Sequence, residues 1–427
     1  MSCFLSPFRS AACAAIVLLP VLGWSAESLT LAEAQRIALA RSQQLAANEA
    51  SASATRRMAE VAGRLPDPVL KLGVDNLPVN GPDRFSLTRD FMTMRRIGVM
   101  QELPDADKRQ LRAQRVAQDA IKLQAERNLL AANLRRDTAL AWLERYYALA
   151  QLKALQQQVD EARLQVDAAE ASYRGAKGSQ ADVFAARSAL SMLEDKVIQA
   201  DTQARNASVM LARWIGGEAQ RLPAGPPPWQ ATDLDRGFKP EHLEAHPVVL
   251  VAAAAVQAAQ LDVSLARANK RADWTVEASY QQRGSAYSNM VSIGVSVPLQ
   301  LDRANRQDQE VAARLSQLDE ALARYEDLLR NEEAEVGVML NDWRSGKQRV
   351  KRYADSLVLL AQQRTSAALA AYRGGKGELT SVLAARRELL DAQLQALTAE
   401  LETARAWARL NFLSVEHDMS PADGSQP

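Results

Sequence analysis

The chain has 427 residues, 47% of them hydrophobic and 5% aromatic, with a formal net charge of +1. That balance lacks the clustered basic surplus a nucleic-acid partner would demand, so none is expected. The length suits two or three ordinary domains. Ala, Leu, Gln, Arg and Glu dominate, a composition typical of long helices and coiled coils.

Residues 1–26 read as a secretory signal: Arg9 supplies the positive start, Ala11 to Leu22 the apolar core, and Ser25-Ala26 the small residues for cleavage. The apolar run is shorter than the roughly 18–20 residues of a spanning helix. Cleavage near Ala26 removes Cys3 and Cys13, leaving no disulfide or thiolate chemistry. Cys13 precedes most of the apolar core, so an unlipidated mature end is expected. No later segment is expected to span a membrane as a helix, since the best candidate, Pro247 to Val256, is too short. If the exported chain sits in a membrane it must do so as a β-barrel, the other structure that satisfies every backbone group in lipid.

A helix is expected from about 29 to 64, opened by Thr30 with Glu33 three residues on, as in a capping box, and stopped by Leu65-Pro66-Asp67-Pro68. A strand at ~68–76 alternates Leu70, Leu72 and Val74 against Lys71, Gly73 and Asp75, and a second strand runs ~92–103. No proline or glycine interrupts ~105–173, which predicts a helix on the order of 100 Å long. Leu152, Leu155, Val159, Ala162, Val166, Ala169 and Tyr173 step by three and four, as in a coiled-coil seam. A turn, Tyr173-Arg174-Gly175-Ala176-Lys177-Gly178, reverses it into a helix at ~181–216, completing a first repeat over 27–222. Residues 223–235, opening with Pro223-Ala224-Gly225-Pro226-Pro227-Pro228, read as a connector.

The second repeat, 236–415, restates the first. After a helix come strands at ~273–281 (Trp274, Val276, Ala278, Tyr280 on one face) and ~290–299 (Val291, Ile293, Val295, Val297, Leu299). A second long helix is expected at ~304–372, with Val358, Ala361, Thr365, Ala368 and Tyr372 as its seam, and a return helix at ~380–415. The turn between them, Tyr372-Arg373-Gly374-Gly375-Lys376-Gly377, lies 199 residues after its counterpart (372 − 173). Ile97-Gly98-Val99 likewise returns as Ile293-Gly294-Val295. The paired glycines are expected to supply the left-handed or tight conformations of each reversal. The tail, 416–427, is expected to be disordered. Two long units of this kind point to an assembly part rather than an enzyme.

Nothing in the chain forms a catalytic cluster, and no cofactor is expected. His242, His246 and His417 lack the spacing of a metal site, so no metal is assigned, and His246-Pro247 sits at a helix start. Lys177-Gly178-Ser179 lacks the full phosphate-loop order. Met92, Met94 and Met100 offer thioethers for soft cations, although methionine is more often packing material.

The signal, the two repeats and the duplicated tips, with Gln101-Glu102-Leu103-Pro104 and Val297-Pro298-Leu299 at strand ends, resemble the TolC family of outer membrane efflux proteins. The resemblance covers about 27–415. It implies a mainly α fold with a membrane β-barrel: an internally duplicated protomer of long coiled-coil hairpins and four strands. Three copies would form a 12-stranded barrel in the outer membrane of a Gram-negative bacterium and an α-helical barrel across the periplasm. Leu65-Pro66-Asp67-Pro68, Met92-Thr93-Met94 and Lys108-Arg109 look most like the heavy-metal branch of the resistance-nodulation-division (RND) systems, CusC- and CzcC-like.

The resemblance also implies partners and sites. A periplasmic adaptor, coupled to an inner-membrane RND pump, would dock at Tyr173, Arg174, Gly175, Lys177, Gly178 and at Tyr372, Arg373, Gly374, Lys376, Gly377. The periplasmic entrance in the family is narrowed by acidic residues just after the tip. Asp182 matches in the first repeat, whereas Ser381 and Ala384 stand at the matching second-repeat positions and Glu378 is the nearest substitute. A closed state would then rest on pairs of Arg174, Arg187, Arg373 or Arg386. Two other readings stand beside the channel for heavy-metal cations. One is the same duct serving drug efflux or type I protein secretion; the other is the periplasmic adaptor, which would have one helical hairpin flanked by Gly-rich β domains.

Overall fold

A computed structural model of the chain describes residues 28–226, 228–236 and 243–412. The expected signal, His242, His417 and the tail 416–427 lie outside the described residues. The first half runs α1 (Leu31–Arg41), α2 (Gln43–Ala62), β1 (Val69–Asp75), β2 (Met94–Leu103), α3 (Ala106–Arg174) and α4 (Gln180–Ile215). The second runs α5 (Pro247–Ala268), β3 (Trp274–Gln282), β4 (Met290–Ser296), α6 (Gln307–Arg352), α7 (Val358–Arg373) and α8 (Leu379–Asn411).

Four local expectations need correction. The first helix is broken at Ser42, whose hydroxyl caps α2 by accepting from Leu45 N–H at 3.3 Å. Thr30 does cap α1, but the expected reciprocal bond from Glu33 is replaced by an ion pair between Glu33 and Arg221 at 2.7 Å. The second long helix starts at Gln307 and is widened by a π turn at Tyr353–Leu357. It also contains Gly337 and Gly346; a Cβ at Gly346 would meet Thr403 Oγ1 at 2.4 Å, so that glycine sets how closely α6 approaches α8. Finally, β4 ends at Ser296, which leaves Val297 and Leu299 outside the ladder.

Helix α5 also differs from expectation. Its 22 residues are long and apolar enough to cross a membrane by length and composition, with a mean hydropathy of 1.8 over its best window. Here it packs along α3 and α6, and its Asp262 accepts from Arg115 of α3 at 2.7 Å.

The four strands form one antiparallel sheet in the order β1-β2-β3-β4, so the two repeats meet at β2–β3. Register places Leu72, Ile97, Tyr280 and Val291 in one row across all four strands. Next to it lies the row Leu70, Val99, Ala278 and Ile293. This face is exposed: Leu72 is 70% and Ile293 77% accessible. The outer edges of β1 and β4 have no strand beside them among the described residues.

Both long helical runs extend away from the sheet. Uninterrupted over 69 residues, α3 spans about 100 Å, and 307–373 matches it. Midway, the main core gathers Trp142, Tyr147, Leu211, Ile215, Trp343 and Trp407. Here the connector is tied down as a belt. The indole N–H groups of Trp142, Trp343 and Trp407 donate to the carbonyls of Leu29, Trp229 and Ala231 at 3.2, 2.8 and 3.0 Å. Leu29 N–H donates to Leu222 O, and Ala224 N–H to Leu29 O, each at 2.8 Å. Buried Arg145 completes the belt by donating to the carbonyls of Arg221 and Gln220. A polar strap over an apolar core is stable only when its backbone groups are paired in this way.

Candidate functional site: the hairpin tips and the polar face of the sheet

Both hairpin tips lie at the same end of the molecule. Ala169, Val183 and Ala186 from the first repeat pack with Leu379 and Val382 from the second. Of the seam residues, Leu155, Val159, Ala162 and Ala169 are buried, as are Ala361 and Thr365. Tyr372 packs against the tip cluster, whereas Tyr173 is 49% exposed, so the two tips are not equivalent.

The reversals show where glycine is needed. Gly175 and Gly374 have φ of −84° and −79°, ordinary for any residue. The left-handed positions are Gly375 (φ 68°) in the second tip and, in the first, Ala176 (φ 56°) rather than a glycine. Lys177 N–H then donates to Ser172 O and Lys376 N–H to Ala371 O, both at 2.9 Å, satisfying orphan carbonyls of the helix ends. Gly178 and Gly377 are the tight ones, since a Cβ there would lie 3.2 Å from Ser172 Cβ and 3.1 Å from Ala371 Cβ.

Just beyond, Ser179 and Asp182 form a full capping box: Asp182 N–H donates to Ser179 Oγ at 3.1 Å, and Ser179 N–H to Asp182 Oδ2 at 2.9 Å. These bonds from the Ser179 backbone and hydroxyl hold the Asp182 carboxyl below its ordinary range, so it stays ionised at neutral pH. Glu378 caps α8 by position only; its carboxylate accepts from Thr380 Oγ1 at 3.2 Å, and Ser381 is exposed nearby. Ser179→Ala is expected to cost about 1 kcal/mol of tip stability at neutral pH. With Asp182 depressed in the folded state, its share is present above the unfolded value and lost as pH falls through the folded one. Hydrogen exchange of residues 180–183 at pH 7 and pH 3 checks both; equal protection in variant and wild type at pH 7 would contradict the capping role.

Arg174, Arg187 and Arg386 near the tips are tied within the protomer. Arg187 donates to Glu170 at 2.6 Å, and Arg174 lies 3.9 Å from the same carboxylate. The Glu170 carboxyl is accordingly held below its usual range, first by the Arg187 bond. Arg386, the counterpart of Arg187, pairs instead with Glu161 of the other repeat's α3, while burial lowers its own pKa. Arg373, Lys177 and Lys376 make no ion pair among the described residues. The glutamate partners went unread in the sequence because Glu161 and Glu170 lie 225 and 17 residues from their arginines.

The other face of the sheet is polar and ion-paired. Lys71 on β1 reaches over β2 to Glu277 on β3 at 2.6 Å, passing Gly98, which lies opposite both Lys71 and Ser279. A Cβ at Gly98 would meet Ser279 Cβ at 2.8 Å, so this position must be bare. Arg96 and Asp75 pair at 3.3 Å, and Gln281 donates to Ser292 at 2.9 Å. Strict alternation already put these polar residues on one side; their pairing follows from register, which one strand cannot reveal. Met94 and Met100 share this face with Arg96, about 20 Å apart along β2. They line a wall rather than form a site, and Met92 precedes the strand. No metal-binding group of His, Cys, Asp and Glu occurs among the described residues. His246 stands before Pro247 at the start of α5, its Nδ1 3.3 Å from Glu332 Oε2; burial lowers its pKa.

The chain thus carries a four-stranded antiparallel sheet, apolar and exposed on one face, at one end of a helical stalk on the order of 100 Å long. Residues 240–414 match the family described as outer membrane efflux protein. Among solved structures, the chain is similar to the outer-membrane channel OprN, with a TM-score of 0.76, 19% identity, and 90% of this chain and 89% of that one covered. It is also similar to CusC, with a TM-score of 0.75, 16% identity and coverage of 90% and 92%. The CmeC outer membrane channel of Campylobacter jejuni gives a TM-score of 0.75, 14% identity and coverage of 96% and 94%. No curated protein matches the chain's sequence at a significant level.

Proposed function

We propose that the chain is the outer membrane channel of a tripartite efflux system, a passive duct with no active site. The observation that carries this reading is the sheet: one face apolar and exposed, the other ion-paired, and both edges open. Unpaired strand edges are unsustainable in lipid, and closure into a barrel removes them. Three copies supply twelve strands, a barrel wide enough for a polar lumen. The outer membrane of a Gram-negative bacterium is the proposed location, reached through an unlipidated, signal-cleaved precursor.

The tips are proposed to receive a periplasmic adaptor that couples the duct to an inner-membrane RND pump. Asp182, Glu378 and Ser381 are proposed to ring the entrance, with Arg187 and Arg386 bracing the hairpins. Gly175 and Gly374 make a clean test, because a Cβ at either would rest 3.4 Å from a helix carbonyl, an ordinary contact. Replacing both with tryptophan is therefore expected to abolish export while trimers persist; export at wild-type level would remove the docking assignment.

Heavy-metal cations are the proposed cargo, on the thioethers of Met94 and Met100 along the polar face and the ionised Asp182 at the tips. Growth of a deletion strain on copper, silver, zinc, cobalt and cadmium, beside dyes and antibiotics, tests the function and the cargo together. Selective loss of metal tolerance, restored by the gene, is expected. Sensitivity to dyes and antibiotics alone makes the cargo organic, and unchanged tolerance to everything contradicts efflux.

A further inference from the structure

The apolar face of the sheet ends in two unlike rims. On the stalk side it closes with Trp274, 56% exposed and paired with Leu103. On the side of the hairpin loops 76–93 and 283–289 it closes with the row Val74, Arg95 and Gln282. Trp274 and Gln282 are eight residues apart, about 27 Å along the strand and close to the height of a lipid-facing band. Arg95 therefore stands on the apolar side, one row beyond Ile97, at the end of the sheet away from the helices. Arg96 points the other way and pairs with Asp75 at 3.3 Å on the polar face.

Arg95 has only carbonyls for company. Its guanidinium donates to the Arg283 carbonyl at 3.5 Å, and Arg283 donates in turn to the Phe91 carbonyl. The Nε of each is buried without a hydrogen-bond partner, and neither arginine makes an ion pair among the described residues. The acids of the neighbouring loop are spent elsewhere: Asp83 pairs with Arg89 at 3.6 Å, and Asp90 accepts from the N–H groups of Met92 and Thr93. The rim is also held still. Arg283 N–H donates to Asn289 Oδ1 at 3.1 Å, its guanidinium lies 5.0 Å over the Tyr287 ring, and a Cβ at Gly284 would run into the Thr88 carbonyl oxygen. Two half-buried charges with no counter-charge go against the rule that such groups are paired. We propose that Arg95 and Arg283 form a site for the phosphomonoester headgroup of an outer-leaflet glycolipid, whose acyl chains lie on Leu72, Ile97 and Tyr280. A phosphomonoester carries about −1.5 to −2 at neutral pH and so matches two guanidinium groups, whereas a phosphodiester matches one. The planar fork of arginine suits phosphate oxygens, and the exposed apolar rows beneath supply the affinity for the chains. This inference rests on the channel reading, which sets the apolar face in lipid and its loops outside.

The test is native mass spectrometry of the full-length protein in detergent, titrated with bisphosphorylated lipid A, dephosphorylated lipid A and phosphatidylglycerol. One bisphosphorylated lipid per chain is expected, held about tenfold or more tighter than either comparison lipid, as for one additional charged hydrogen bond. Arg95→Gln and Arg283→Gln should each weaken it about tenfold by the same reasoning, while Arg89→Gln, on the same loops but paired with Asp83, leaves it unchanged. Equal affinity of the wild type for all three lipids would reduce the two arginines to solvated interfacial cations and overturn the proposal. Displacement of the lipid by an equal concentration of inorganic phosphate would overturn it too, since the acyl chains would then contribute nothing. Conductance in planar bilayers is scored beside the titration. A conducting trimer that does not discriminate the lipids overturns this site alone, whereas a protein that never inserts removes the channel reading and the site with it.

Discussion

Lys108→Ala is expected to destabilise the protein by about 3–5 kcal/mol, as for loss of one partner from a buried ion pair. Lys108 is 2% exposed, near the start of α3, and its ammonium donates to Asp273 Oδ1 at 2.8 Å and to the Arg271 carbonyl. Arg271 in turn bridges Asp105 and Asp107 at 2.8 and 2.9 Å. The β2–α3 turn of the first repeat is thereby locked to the α5–β3 turn of the second, where the helices hand over to the sheet. Without Lys108, the half-buried Asp273 carboxylate loses its ion-pair partner. The double variant Lys108→Ala with Asp273→Ala removes that charge and is expected to recover more than half of the loss. Denaturant midpoints of the wild type, the two single variants and the double variant measure this directly. Additive single effects would show that the two groups do not act as a pair.

Trp343→Ala should cost a similar amount, about 3–5 kcal/mol for a fully buried indole. Trp343 is 0% exposed and its N–H holds the Trp229 carbonyl at 2.8 Å, so the substitution both opens a cavity and releases the belt. Trp343→Phe separates the two effects: it keeps most of the volume and loses the bond, for about 1–3 kcal/mol from the unpaired carbonyl. Limited proteolysis supplies the local readout. Cleavage within 222–236 should rise strongly in the alanine variant and moderately in the phenylalanine variant. Resistance equal to the wild type in both would mean that the other two tryptophans hold the belt alone.

These two positions show where sequence reading stops. Helix length followed from the absence of breakers over about 106–174, and strand faces followed from the alternation of Leu70, Leu72 and Val74 with Lys71, Gly73 and Asp75. Both are periodic, local signals. Lys108 and Asp273 lie 165 residues apart, and Trp343 and its carbonyl 114, so no local pattern announces either contact. The π turn at Tyr353–Leu357 was equally hidden, since one extra residue in a turn leaves the helical composition unchanged. At the tips, the repeat located the reversals, but a glycine takes the left-handed conformation only in the second, at Gly375; in the first Ala176 occupies it. Asp182 was singled out by resemblance as an entrance carboxylate. Its capping bond with Ser179 was readable from the Ser-x-x-Asp spacing and passed over.

The duct itself is the central claim, and single-channel recording of the purified, detergent-solubilised protein in a planar lipid bilayer tests it most directly. A particle mass of three chains with stable ohmic conductance steps, altered in ion preference by Lys71→Glu on the polar face, is the expected result. A protein that stays monomeric and leaves the bilayer silent would contradict the account.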